Sequence, residues 1–215
     1  MIVSLAMLAT GTATASAVAA RWATEEDHAG AAPRRRGEVS LLARAVLRAL
    51  LAEVTGRADW SVRIDARGKP WLADGPAVSL SHSGGMVAVA VAESGELGID
   101  IERHRHRDLA ALAAAAFGPR EQAAVAAGGT AAFFRIWTLR EALAKATGAG
   151  LAEAADGLDQ VADGLAEGCW QAGPWCLAHL RPTADYSLAV ALRAPTARSW
   201  GLRRVDISAP ADQGL

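Results

Sequence analysis

The chain has few aromatic residues, two cysteines, no excess of either charge and no long apolar run. Lys and Arg together number 22 and Asp and Glu 23, which gives no bulk positive charge for binding nucleic acid. Cys169 and Cys176 lie close together with only His179 nearby, so neither a disulfide framework nor a zinc set is at hand. They read as incidental thiols of a reducing, cytoplasmic setting. Nothing reaches the roughly 18 uninterrupted apolar residues of a membrane span, and no repeat of solenoid period is present. The first twenty residues are small and apolar, and Ala-Ser-Ala-Val-Ala-Ala resembles a signal-peptidase site. No positive segment precedes them, however, and they read as a first strand and loop of the folded domain.

What remains is a chain of 215 residues, 52% apolar and 21% charged, sufficient for one large domain or two small lobes. Residues 2–9 suit a strand, and a loop with the acidic segment Glu25-Glu26-Asp27-His28 follows. A helix is expected from about Glu38 to Val54, ended by Thr55-Gly56, with Ser40, Arg44 and Arg48 as a polar stripe. That stripe is either a solvated face or, with Arg34, Arg35 and Arg36, a basic pocket for an anion. Trp60 to Asp65, Val78 to Ser83, Met86 to Glu93 and Leu97 to Glu102 read as strands of one antiparallel meander, with Gly84-Gly85 as a hairpin turn. Asp108 can cap a short helix over Leu109 to Ala116, and Pro119 can open the next. Gly128-Gly129 separates that helix from a third, about Ala131 to Thr147. Trp170 to Leu180, Tyr186 to Leu192 and Ser199 to Val205 read as a second small sheet, and 209–215 as a tail. Strands, then helices, then strands give an α+β fold.

The chemistry centres on two segments, Gly98-Ile99-Asp100-Ile101-Glu102 and Trp137-Thr138-Leu139-Arg140-Glu141-Ala142-Leu143-Ala144-Lys145. Strand alternation points Asp100 and Glu102 one way and Ile99 and Ile101 the other. Helical spacing puts Glu141 and Lys145 on one face. Three carboxylates and one ammonium suit a magnesium ion holding a phosphate ester, because Mg²⁺ takes hard oxygen ligands and few of them from protein. Singly, each piece has an ordinary role: an exposed acid pair, a stabilising helix pair, a capping box at Thr138 and Glu141. The run Arg103-His104-Arg105-His106-Arg107 reads as a solvated loop, and His82 as a structural histidine.

Together the two segments resemble the signature of the 4′-phosphopantetheinyl transferases, in their Sfp-like branch. Gly68-Lys69-Pro70, Leu80-Ser81-His82-Ser83, Phe117-Gly118-Pro119-Arg120-Glu121 and Gly148-Ala149-Gly150-Leu151 extend the likeness across roughly residues 34 to 193. The resemblance implies a pseudo-twofold pair of α/β lobes with the ligand between them. The N-terminal lobe, 1–96, is expected to bind coenzyme A, and the C-terminal lobe, 97–208, to hold magnesium and dock the carrier. The implied reaction moves the phosphopantetheine arm of coenzyme A to a serine of an apo acyl or peptidyl carrier protein, releasing adenosine 3′,5′-bisphosphate. Asp100, Glu102 and Glu141 would hold Mg²⁺, and Glu141, Lys145 and Asp100 would be catalytic. Lys69, Ser81, His82, Ser40 and Arg34 to Arg36 would bind coenzyme A. A monomer, with neither nucleic acid nor membrane as partner, is expected.

Two departures from the pattern stand out. Arg140 occupies a position that is usually Lys and is expected to tolerate Lys, and the segment from Ala23 to Ala32 is acidic where relatives are often basic. The alternative reading is a silent homologue that holds coenzyme A or a carrier protein. Keeping Asp100, Glu102, Glu141 and Lys145 together speaks against it. An unrelated magnesium-dependent phosphotransferase would leave Lys69 and Ser81-His82 without a purpose.

Overall fold

The structure, a computed structural model, describes residues 1–31, 37–148, 167–194 and 199–208. The chain is mixed α/β and divides into two compact units, Met1–Ser94 with Ala197–Leu215, and Gly95–Thr196.

In the first unit a four-stranded sheet runs in the order β10-β1-β5-β4, from β1 (Ile2–Ala9), β4 (Ala77–Ser83), β5 (Met86–Ala92) and β10 (Gly201–Arg204). Its core forms where α3 (Gly37–Thr55) lays Leu42, Val46, Leu47 and Leu50 against Val87, Val89 and Val91 of β5. Two short helices, α1 (Ala13–Trp22) and α2 (Glu25–Ala31), occupy what the sequence suggests is a loop. Local side-chain caps make them possible. Thr12 accepts the Ala15 N–H at 3.0 Å, and Thr24 and Asp27 bond to each other's backbone at 3.1 and 3.2 Å. Asp27 is buried and accepts Arg48 Nε at 2.8 Å, while Arg48 Nη1 donates to the Trp60 carbonyl at 2.8 Å. Arg44 stands 3.7 Å from the same carboxylate. Arg44 and Arg48 therefore do not form a solvated face. They pin α2 to α3 through the buried Asp27 carboxylate.

The expected meander stops at β5, because β5 is hydrogen-bonded on one side to β1 and on the other to β4 and offers no free edge. β2 (Val62–Ile64) and β3 (Pro70–Leu72) form a separate two-stranded hairpin. β6 (Glu96–Arg103) opens a different sheet, ordered β6-β9-β8-β7, with β7 (Gly168–Ala172), β8 (Trp175–Leu180) and β9 (Tyr186–Arg193). The strand near residue 200 also departs from expectation. β10 does not join this second sheet but pairs in parallel with β1, so the final described segment belongs to the first unit. The proposed tail, 209–215, lies outside the described residues, as do Ala149 to Leu151 of the motif.

Over the second sheet lies α5 (Pro119–Thr147), preceded by α4 (Leu109–Ala116), which Asp108 caps through the Ala111 N–H at 3.0 Å. Gly129 breaks α5 with φ 59° and ψ −141°, a conformation open to glycine, so two helical segments meet there at a bend. The segment after the break sets Leu139, Ala142, Leu143 and Ala146 on Leu177, Ala189 and Ala191 of the sheet. Helix and β6 meet at Gly98, where a Cβ would overlap the Ala142 carbonyl oxygen and come within 2.6 Å of the Ala146 nitrogen. Both neighbours are helix backbone and cannot yield. The glycine that opens the acidic motif therefore sets how closely the helix approaches the strand.

Gly98→Ala is expected to cost about 3 kcal/mol, at the upper end of overpacking penalties, because the strain falls on backbone. Urea denaturation with a loss below about 1 kcal/mol would show that the helix can move away from the strand.

Candidate active site

β6 and β9 pair so that Asp100 lies opposite Ala189, and β8 places His179 next in the same row. Side chains of one row share a face, here the face α5 covers. Asp100 is thereby buried, at 4% exposure, under a helix that must supply its counter-charge. Lys145 does so, its Nζ donating to Asp100 Oδ1 at 2.7 Å while its own side chain keeps 32% exposure. One turn earlier on the helix stands Glu141. Burial raises its pKa above the ordinary carboxylate value, the Asp100 and Glu102 carboxylates raise it further, and Lys145 opposes them. The structure thus brings Asp100, Glu102, Glu141 and Lys145 into one electrostatic group. Ile99 and Ile101 are buried with no exposure on the other face of β6.

Three carboxylates share one ammonium, so the group carries an excess of negative charge under a low-dielectric cover. Hard oxygen donors with unbalanced charge fit a divalent cation such as Mg²⁺. They do not stand as a finished ligand set, since among the described residues no group of three His, Cys, Asp or Glu is arranged to hold a metal. Thr138 is no helix cap. It is buried in mid-helix and its Oγ1 donates to the Phe134 carbonyl at 2.8 Å.

Arg140, the residue before Glu141, points away from this group. Its Nε and Nη2 donate to both oxygens of Glu121 at 2.9 and 2.8 Å, and Nη1 to the Ala116 carbonyl at 2.9 Å. Glu121 is 1% exposed and also accepts the Gly118 N–H at 2.9 Å, closing the first turn of α5. The guanidinium lies 5.3 Å from the Phe117 ring centre. Sequence reading treats Phe117–Glu121 and Trp137–Lys145 as separate motifs, and the fork joins them. Against the expectation that Lys would serve at position 140, this geometry uses a planar guanidinium fork, which the compact ammonium of Lys does not reproduce.

The run from His104 to Arg107, read as a solvated loop, rims a hollow of about 570 Å³ floored by Leu109, Ala113, Val125 and Ala126. His104 stacks on Phe134 with ring centres 4.7 Å apart, and its Nε2 lies 2.9 Å from Ser187 Oγ. The hint in the sequence was the alternation of Arg and His directly before an Ala/Leu helix.

In the first unit, Ser81 is buried and His82 half-buried on β4, just before the β4–β5 turn. Lys69 closes the β2–β3 hairpin, its N–H bonded to Asp65 Oδ1 at 2.8 Å. Ser40 lies in the first turns of α3. Arg34, Arg35 and Arg36 lie outside the described residues.

The 4′-phosphopantetheinyl transferase superfamily model matches residues 96–191. Those residues form a domain of that superfamily. It holds all four members of the acidic group and both partners of the Arg140 fork. The 4′-phosphopantetheinyl transferase HetI of a Nostoc species is 38% identical over 122 residues, 51% of this chain and 52% of that protein. The 4′-phosphopantetheinyl transferase AcpT of Salmonella typhi, and its namesake from Salmonella typhimurium, are each 42% identical over 89 residues, 38% of this chain and 46% of theirs. The chain thus spans about half the length of the curated relatives it matches. Among its described residues no helix is long and apolar enough to cross a membrane.

His179 is another buried polar group of the matched residues. It is 3% exposed, and neither ring nitrogen has a hydrogen-bond partner among the described residues. Burial, then the positive charges of Arg135 and Arg181, lower its pKa to about 4. Its folded pKa lies below the unfolded one, so the unfolded chain takes up the proton first and stability falls as pH drops from about 6.5 to 4. At most about 3 kcal/mol is lost this way by pH 4. His179→Leu is expected to flatten the fall of the urea midpoint across that window, and equal slopes in variant and wild type would refute the assignment.

Proposed function

We propose that the chain transfers the 4′-phosphopantetheine arm of coenzyme A to a serine of an acyl or peptidyl carrier protein. The observation that carries this reading is the electrostatic group of Asp100, Glu102, Glu141 and Lys145 inside a domain of the transferase superfamily.

In the reaction, the serine Oγ forms a bond to the phosphorus that bears the pantetheine arm. The pyrophosphate P–O bond breaks, and adenosine 3′,5′-bisphosphate departs with the electron pair. Asp100, Glu102 and Glu141 would hold Mg²⁺, which when bound neutralises phosphate charge as the bond shifts. Glu141 accepts the serine proton, and its excess of carboxylate neighbours favours that uptake. Lys145, held by Asp100 at 2.7 Å and partly exposed, supplies positive charge to the phosphate oxygens. Lys69, Ser81, His82 and Ser40 bind the coenzyme, together with Arg34, Arg35 and Arg36.

An apolar hollow rimmed by Arg105, His106 and Arg107 suits an acidic, helical partner, which is the character of carrier proteins. A monomer in a reducing, cytoplasmic setting completes the reading, in keeping with the free thiols of Cys169 and Cys176. A silent homologue is disfavoured. Burying Asp100 against Lys145 while crowding two more carboxylates costs stability that mere ligand holding does not require.

The test is the intact mass of an apo carrier protein after incubation with this chain, coenzyme A and Mg²⁺, with EDTA in a parallel sample. A gain of one phosphopantetheine that EDTA prevents is expected. Asp100→Ala and Glu141→Ala should each lower the rate by at least about a thousandfold without unfolding the protein. Full activity in either variant would remove that residue from the site. No mass gain across several carrier types would refute the transferase reading.

A further inference from the structure

At Gly129 the backbone leaves helical φ/ψ, so α5 consists of two helical segments joined at a kink. The first segment, with α4, carries the hollow's lining at Ala113, Gln122, Val125 and Ala126. The second carries Glu141 and Lys145. Something other than helix propagation must set the angle between them.

We propose that Arg140 is a positioning residue that fixes the docking hollow relative to the catalytic carboxylates, and so sets affinity for the carrier protein. This rests on the transferase reading given above. One guanidinium spans the whole junction: it bonds the end of α4 at the Ala116 carbonyl and both oxygens of Glu121 in the opening turn of α5. Its own backbone belongs to the turn that holds Glu141. The pair is enclosed by rings. Phe117 lies 5.2 Å from Phe133 and Phe133 5.9 Å from Trp137, centre to centre, and the guanidinium covers the Phe117 face at 5.3 Å. A buried bidentate pair is stiff in both distance and orientation, whereas a Lys–Glu contact fixes distance alone. The fork therefore holds an angle that the glycine break leaves open.

The role separates from catalysis in kinetics. The Arg140 guanidinium is committed to Glu121 and the Ala116 carbonyl. Loosening the junction misplaces the partner's docking surface and leaves Asp100, Glu102, Glu141 and Lys145 on β6 and the sheet-packed helix.

The experiment compares wild type with Arg140→Lys and Glu121→Gln, each confirmed as folded by thermal melting. The KM for the carrier is expected to rise about tenfold in Arg140→Lys and less in Glu121→Gln, while the KM for coenzyme A and kcat stay within about twofold. Hydrogen exchange supplies a readout that needs no activity. Amides of α4 and of α5 before Gly129 should exchange faster in both variants, and those of β6 should not change. A lower melting temperature with unaltered KM for the carrier would overturn the proposal and leave Arg140 a structural residue. A fall in kcat alone would overturn it too. If wild type itself transfers nothing, the transferase reading fails, and hydrogen exchange alone then decides whether Arg140 governs the junction.

Discussion

The second unit depends on one close approach, the backbone of α5 resting on β6 at Gly98. Any side chain there would lift the helix from the strand, since the atoms it would meet are backbone. With the helix seated, Ala142 and Ala146 close over Ala189 and Ala191, and the small residues of both surfaces match. Asp100 is then buried by the same helix that brings Lys145 to within 2.7 Å of it. Packing and charge are coupled here: the contact that stabilises the unit also gathers three carboxylates around one ammonium. Clustered carboxylates beside an ammonium are hard oxygen donors suited to a divalent cation and a phosphate, which is the physical basis of the proposed reading.

A second tie works at the far end of the helix. The buried Arg140–Glu121 pair restores across the Gly129 break the rigidity that glycine removes. In the first unit Asp27 and Arg48 play a comparable internal part, joining α2 to α3. In both cases a charged pair that looks like surface decoration in sequence is enclosed. Each member is satisfied by additional backbone hydrogen bonds, as burial of charge requires.

The acidic motif was legible because its spacings are those of one strand face and one helix face, which depend on local geometry alone. Asp108, Gly118 and Pro119 marked helix ends for the same reason, since caps act over three or four residues. What could not be read was pairing between distant segments. Nothing local tells β6 to leave the hairpin of β4 and β5, because that is settled by β1 taking the free side of β5. Nor does the run around Gly201 announce that it returns to β1. Arg44 and Arg48 were misjudged because their partner, Asp27, lies in a segment whose helix was missed. The spacing Thr24 to Asp27 was the available clue. The Arg140 fork was hidden for a related reason: its acceptor lies 19 residues away, across a helix break.

Calorimetric titration of Mg²⁺ in the presence of coenzyme A, into wild type and into Glu102→Gln, tests the central claim most directly. The Glu102 carboxylate acts on Glu141 by its charge, and the isosteric Gln removes that charge while keeping the side chain's size. The account predicts that wild type binds Mg²⁺ and that the variant binds it at least about tenfold more weakly, one charged ligand having been lost. Equal affinity in the two proteins would contradict it and show that the carboxylates of β6 and α5 are not where the metal sits.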